Sequence, residues 1–89
     1  MSSELLSIGD LRSEYGLGRD LATRLVRLLP HVQVGRRGRG AYLLVRRADF
    51  DFLVNRATVE RVDLWHIARK HTPESLQLWL QGQPHLRLN

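Results

Sequence analysis

Apolar residues recur at helical spacing along most of the chain, and one stretch near the middle alternates instead. In "SIGDLRSEYG", residues 7–16, Ile8, Leu11 and Tyr15 share one face of a 3.6-residue period, which predicts a short helix with that face buried. Ser7 is a natural N-cap, and Asp10 three residues on completes an approximate capping box and complements the helix dipole. Gly16 stops this helix, and "GLGR" reads as a tight connection because glycine accepts left-handed backbone. In "RDLATRLVRLL", Leu21, Ala22, Leu25, Val26, Leu28 and Leu29 fall in one arc at about 100° per residue. Arg19, Asp20, Thr23, Arg24 and Arg27 occupy the opposite arc, and Pro30 ends this second helix.

"HVQV" alternates as a strand does, and "AYLLVR" is rich in strand formers. The "GRRGRG" between them is too charged and too glycine-rich for anything but a hairpin loop, a wing. "RADFDFLVNRA" returns to helical spacing, with Phe50, Leu53, Val54 and Ala57 as its buried stripe and Asp49 and Asp51 in the first turn. Beyond Thr58, "TVERVDLWHIARKH" can form one helix and "TPESLQLWLQG" forms another, with Thr72 as N-cap, Pro73 at the first helical position and Gly82 after the end. The last seven residues, "QPHLRLN", read as a loose end. The predicted fold class is α+β, mainly α. Residues 1–57 form a winged helix-turn-helix, with two helices, a two-stranded wing and a third helix, and residues 58–89 form a C-terminal helical extension.

Composition narrows the function. At 89 residues, 43% apolar and 26% charged, the chain suits one ordinary globular domain and holds no apolar run long enough for a membrane span. The N-terminal "MSSELLSIGD" lacks the basic and apolar regions of a secretory signal, so a cytoplasmic location is expected. The absence of cysteine excludes disulfides, a thiol nucleophile and a thiolate metal site. Charge is concentrated: between Arg19 and Arg47 lie eight arginines and a single acid, Asp20, whereas the remaining sixty residues carry six basic and eight acidic groups. A basic segment inside a near-neutral protein, in a chain whose basic residues are all arginine but one, points to nucleic acid more readily than to a membrane.

The order of helix, glycine turn, basic helix, strand, arginine-glycine wing, strand and helix resembles the winged helix-turn-helix of phage excisionases and their MerR-type relatives. "LLSIGDLRSEYGLGRDLATRLVRLL" is similar to that family's opening, and "VGRRGRGAYLLVRRADFDFLV" is similar to its wing and closing helix. The likeness covers Leu5 to Ala57, about two thirds of the chain, and departs at Leu11 and Arg12, where the family often has small residues. It implies a recognition helix at residues 20–29 and a wing tip at residues 36–40. It also implies a sequence-specific double-stranded DNA-binding protein without enzymatic activity, acting as an excision or architectural factor or as a small transcriptional regulator. The partners implied are DNA, an integrase or recombinase, and further copies of the chain on DNA.

In that reading, Arg24 and Arg27 point outward with Thr23 into the major groove, and one of the two arginines grips a guanine edge bidentately, a contact worth about 1–3 kcal/mol of discrimination. Arg19 at the helix start suits a phosphate, and Asp20 orients a neighbouring arginine or accepts from cytosine. Wing residues Arg36, Arg37 and Arg39 reach the minor groove or backbone. Six phosphate contacts would give a slope of log affinity against log salt of about −5.

The rival reading is a protein-interaction module that binds an acidic partner through this basic face or through the helices carrying Trp65 and Trp79. These two residues are either core packing or a self-association surface. Tyr15 reads as core and Tyr42 as a packing residue of the wing sheet. His66 and His71, five apart, lie about 140° from each other on a helix, which does not suit a zinc pair. No base is expected beside Ser75, His31 and His85 fall in loops, and neither metal nor cofactor is expected.

Overall fold

A capping box opens the helical part of the chain as its residues require. Ser7 Oγ accepts from the Asp10 amide at 3.1 Å, and Asp10 Oδ2 accepts from the Ser7 amide at 2.9 Å. They begin α1 (Ile8–Glu14), which places Leu11 in the core and ends at Tyr15 and Gly16. Gly16 takes φ +71°, the left-handed turn a side chain resists. Gly18 then caps α2 (Arg19–Leu28), whose Leu21, Ala22, Leu25 and Val26 are buried. The structure is a computed structural model that describes residues 4–36 and 39–82, with the backbone alone at residues 36 and 39–41.

After Pro30 come the antiparallel strands β2 (His31–Arg36) and β3 (Arg39–Arg46), whose register pairs Val32 with Leu44 and Val34 with Tyr42. The ladder shifts register next to Gly35, which lies at φ +93°. A third strand, absent from the sequence reading, is β1 (Leu5–Ser7), which pairs Leu6 with Val45 and puts β3 in the middle of the sheet. Leu6 and Val45 point inward and are fully buried; Leu5, Val32 and Tyr42 line the outer face and are 41%, 51% and 51% exposed. Tyr42 therefore stands on the outer face of the sheet rather than in packing. His31, expected in a loop, opens β2, its Nδ1 2.7 Å from the Leu29 carbonyl oxygen.

The third helix, α3 (Arg47–Glu60), buries Phe50, Leu53 and Ala57 and runs three residues past the expected stripe. It ends where Arg61 adopts left-handed backbone at φ 59°, its amide hydrogen-bonded back to α3. The stretch expected as one helix from Thr58 is thus divided. Its first residues finish α3, and Asp63, accepting from the Trp65 amide at 3.2 Å, caps a separate α4 (Leu64–Lys70). The last helix, α5 (Pro73–Gln81), begins as the sequence predicts, with Thr72 and Ser75 forming a capping box and Pro73 in the first turn. The seven residues read as a loose end lie outside the described ones.

The fold is α+β and mostly helical, with five helices and one three-stranded antiparallel sheet among the described residues. The sequence boundary between residues 57 and 58 falls inside α3, and the core crosses it. Ile67 of α4 and Leu76 and Leu80 of α5 join Leu6, Leu11, Leu25, Val26, Val45, Phe50 and Leu53 in one buried cluster. Each fully enclosed leucine or phenylalanine of that cluster contributes about 1.5–3 kcal/mol of burial. Polar fastening secures α1 to α3: the Tyr15 hydroxyl donates to Asp51 Oδ1, and Arg47 reaches Glu14 at 3.0 Å and the Tyr15 oxygen at 3.5 Å.

Candidate nucleic-acid interface

The outer face of α2 is set by the burial of its inner one. With Leu21, Ala22, Leu25 and Val26 held in the core, Arg19, Asp20, Arg24 and Arg27 are exposed and Thr23 is half-buried. Arg19, Arg24 and Arg27 enter no ion pair among the described residues. Arg27 and Asp20 occupy the middle of this polar arc. Arg24, about 60° around the helix from Arg27, borders the apolar side. There it meets α4: the Arg24 guanidinium lies 5.8 Å from the centre of the Trp65 ring.

Two other arginines of the basic segment are committed elsewhere. Arg46 pairs with Asp49 at 2.8 Å across the start of α3, and Arg47 pairs with Glu14. The charge that remains for a polyanion lies on α2 and on the hairpin. The hairpin backbone is paired as far as Arg36 and Arg39, opposite each other in the register. Arg37 lies outside the described residues, as do the side chains of Arg36 and Arg39.

Trp65 and Trp79 are half-buried and packed against the core. Each is overlaid by arginine, but differently. Over Trp79, at 4.8 Å, lies Arg56, which pairs with Glu60 at 3.2 Å and donates to the Leu80 and Gly82 carbonyl oxygens. Over Trp65 lie both Arg24 and Arg69, each at 5.8 Å, with no carboxylate paired to either among the described residues. Arg69 is not among the sequence-predicted site residues; its one visible signal is the i, i+4 spacing from Trp65, which puts both on one helix face.

Two titrating groups depart from their ordinary ranges. Burial, reinforced by the hydrogen bond to Asp51, raises the pKa of the Tyr15 phenol. Burial, then the nearby His66, lowers that of His71. His71 Nδ1 lies 2.9 Å from Ser75 Oγ, so Ser75 does have an imidazole beside it, contrary to the sequence expectation. That hydroxyl also accepts from the Thr72 amide at 2.9 Å and faces the Thr72 carbonyl, which is the work of a helix cap. Among the described residues no group of three or more histidines, cysteines or acids could hold a metal, and no helix is long and apolar enough to cross a membrane.

Comparison with protein-family models, with curated proteins and with solved structures gives no match to this chain.

Proposed function

We propose that this protein is a non-enzymatic, sequence-specific binder of double-stranded DNA with a winged helix-turn-helix architecture of the excisionase or MerR type. The observation that carries the reading is α2, whose exposed arc holds three arginines without acid partners directly before an antiparallel hairpin with an arginine-glycine tip. In this reading α2 enters the major groove, and the hairpin lies on the adjacent minor groove or backbone. Arg27, central on the arc, is the guanine reader. Arg19 at the helix start and Arg24 at its flank take phosphates. One module of this size makes few base contacts, so specificity comes from several copies on adjacent sites or from a partner such as a recombinase already on the DNA.

The test is a fluorescence-anisotropy titration of a labelled random duplex at two salt concentrations. Binding that weakens steeply with salt supports the reading. No binding at low salt refutes it and leaves the acidic-partner module as the alternative.

A further inference from the structure

The sequence of α4, "LWHIARK", divides by exposure. Ile67 is buried and Leu64, Trp65 and Ala68 are half-buried, while His66, Arg69 and Lys70 face outward. Packing this helix against α2 needs only the first set. Yet the outward Arg69 is not loose in solvent: its guanidinium lies 5.8 Å from the centre of the same indole that Arg24 overlies from α2. Two like charges from different helices thus converge on one ring.

Arg56 over Trp79 shows what such a stack looks like when its purpose is internal: its charge is neutralised by Glu60 and its N–H groups are donated to carbonyls of the α5 terminus. Among the described residues, neither Arg24 nor Arg69 has a carboxylate within ion-pair distance. Asp63, the acid beside α4, accepts from the Trp65 amide. A guanidinium held against an indole is restrained in position, and its planar fork of donors suits the bidentate geometry that a phosphate offers. Two guanidiniums held against one ring without a carboxylate among the described residues make a basic site whose charge a phosphate group neutralises.

We infer that Arg24 and Arg69, braced on Trp65, form a backbone-phosphate clamp of the DNA interface, so that α4 grips the strand flanking the groove that α2 enters. Lys70 and His66 extend the same basic edge. The inference rests on the DNA reading of α2 and adds an element that the winged part of the chain does not contain.

The experiment uses the full chain and a random duplex. Arg69→Ala weakens binding to all sequences alike and makes the slope of log affinity against log salt shallower by about 0.9, the loss of one phosphate contact. The far-UV dichroism and melting of the variant confirm that it is folded. In a Trp79→Phe background, where Trp65 is the remaining tryptophan, duplex binding changes the indole fluorescence, and Arg69→Ala diminishes that change. If the parent protein binds DNA while Arg69→Ala leaves affinity and slope unaltered, the clamp is refuted and the function of α2 stands. If the parent protein binds no DNA at low salt, both fall together. If Arg69→Ala instead abolishes binding to an acidic polypeptide that the parent takes in preference to DNA, the clamp belongs to a protein partner and the inference is overturned.

Discussion

Taking one oxygen from Tyr15 tests how the turn between α1 and α2 is fixed. In Tyr15→Phe the ring keeps its edge-on contact with Phe50, centres 4.8 Å apart, and the hydroxyl that donates to Asp51 is lost. A hydrogen bond to a charged group is worth about 1.5–3 kcal/mol, and the half-buried setting, where water can reach Asp51 in its place, favours the lower end. The expected loss is therefore about 1–2 kcal/mol, or about 4–15 °C in Tm for a domain of this size. The pH dependence gives an independent signature. In the folded chain the phenol ionises above its ordinary value of 10, because of burial first and Asp51 second. The unfolded chain thus releases this proton at lower pH than the folded one. Tyr15 contributes fully below about pH 10, and its contribution drains away as pH climbs through the folded value. Urea melts followed by far-UV dichroism at neutral and alkaline pH measure both effects. The reasoning is refuted if Tyr15→Phe matches the wild type within about 0.3 kcal/mol at neutral pH, the size of an ordinary surface substitution, or if it keeps the wild-type alkaline loss.

Binding selections with degenerate duplexes separate the arginines: Arg27→Ala relaxes base preference at one position, at about 1–3 kcal/mol of discrimination, whereas Arg37→Ala weakens all sequences alike. The reverse pattern would mean that helix and hairpin have exchanged roles. His71, with its pKa held below the ordinary 6.5, contributes fully above that value and loses its contribution as pH falls toward the folded one, so His71→Gln has a flatter stability profile in mildly acidic melts. Gly16→Ala meets no neighbouring atom within 4 Å, so its cost comes from the left-handed backbone alone, about 1–2 kcal/mol by chemical denaturation. A neutral result would show that the turn relaxes to another conformation.

What the sequence revealed was local. Ser7 with Asp10, and Thr72 with Pro73, announce helix starts because a cap is satisfied within four residues. The wheel of α2 separates because ten residues suffice to display its period. What stayed hidden depends on distant partners. The three residues of β1 carry no strand signal of their own and gain order only by pairing with β3, some forty positions away. An arginine at φ 59° is unfavourable in isolation, so nothing at Arg61 marks the end of α3; the packing of α4 on α2 decides it. Alternation in β3 places Tyr42 and Leu44 on one face and Leu43 and Val45 on the other, but which face meets the core depends on the helices. The convergence of Arg24 and Arg69 on Trp65 joins residues that only the folded chain makes neighbours.

The shared core of α2, α4 and α5 makes the front of this molecule hostage to its back. A chain cut after residue 57 would strip α2 of half its lining, so the exposed arc of α2 takes its shape from side chains that lie some forty to sixty positions further along the chain. Whatever steadies α2 also steadies Ile67, Leu76 and Leu80 behind it, and whatever prises α5 away loosens α2 from the rear.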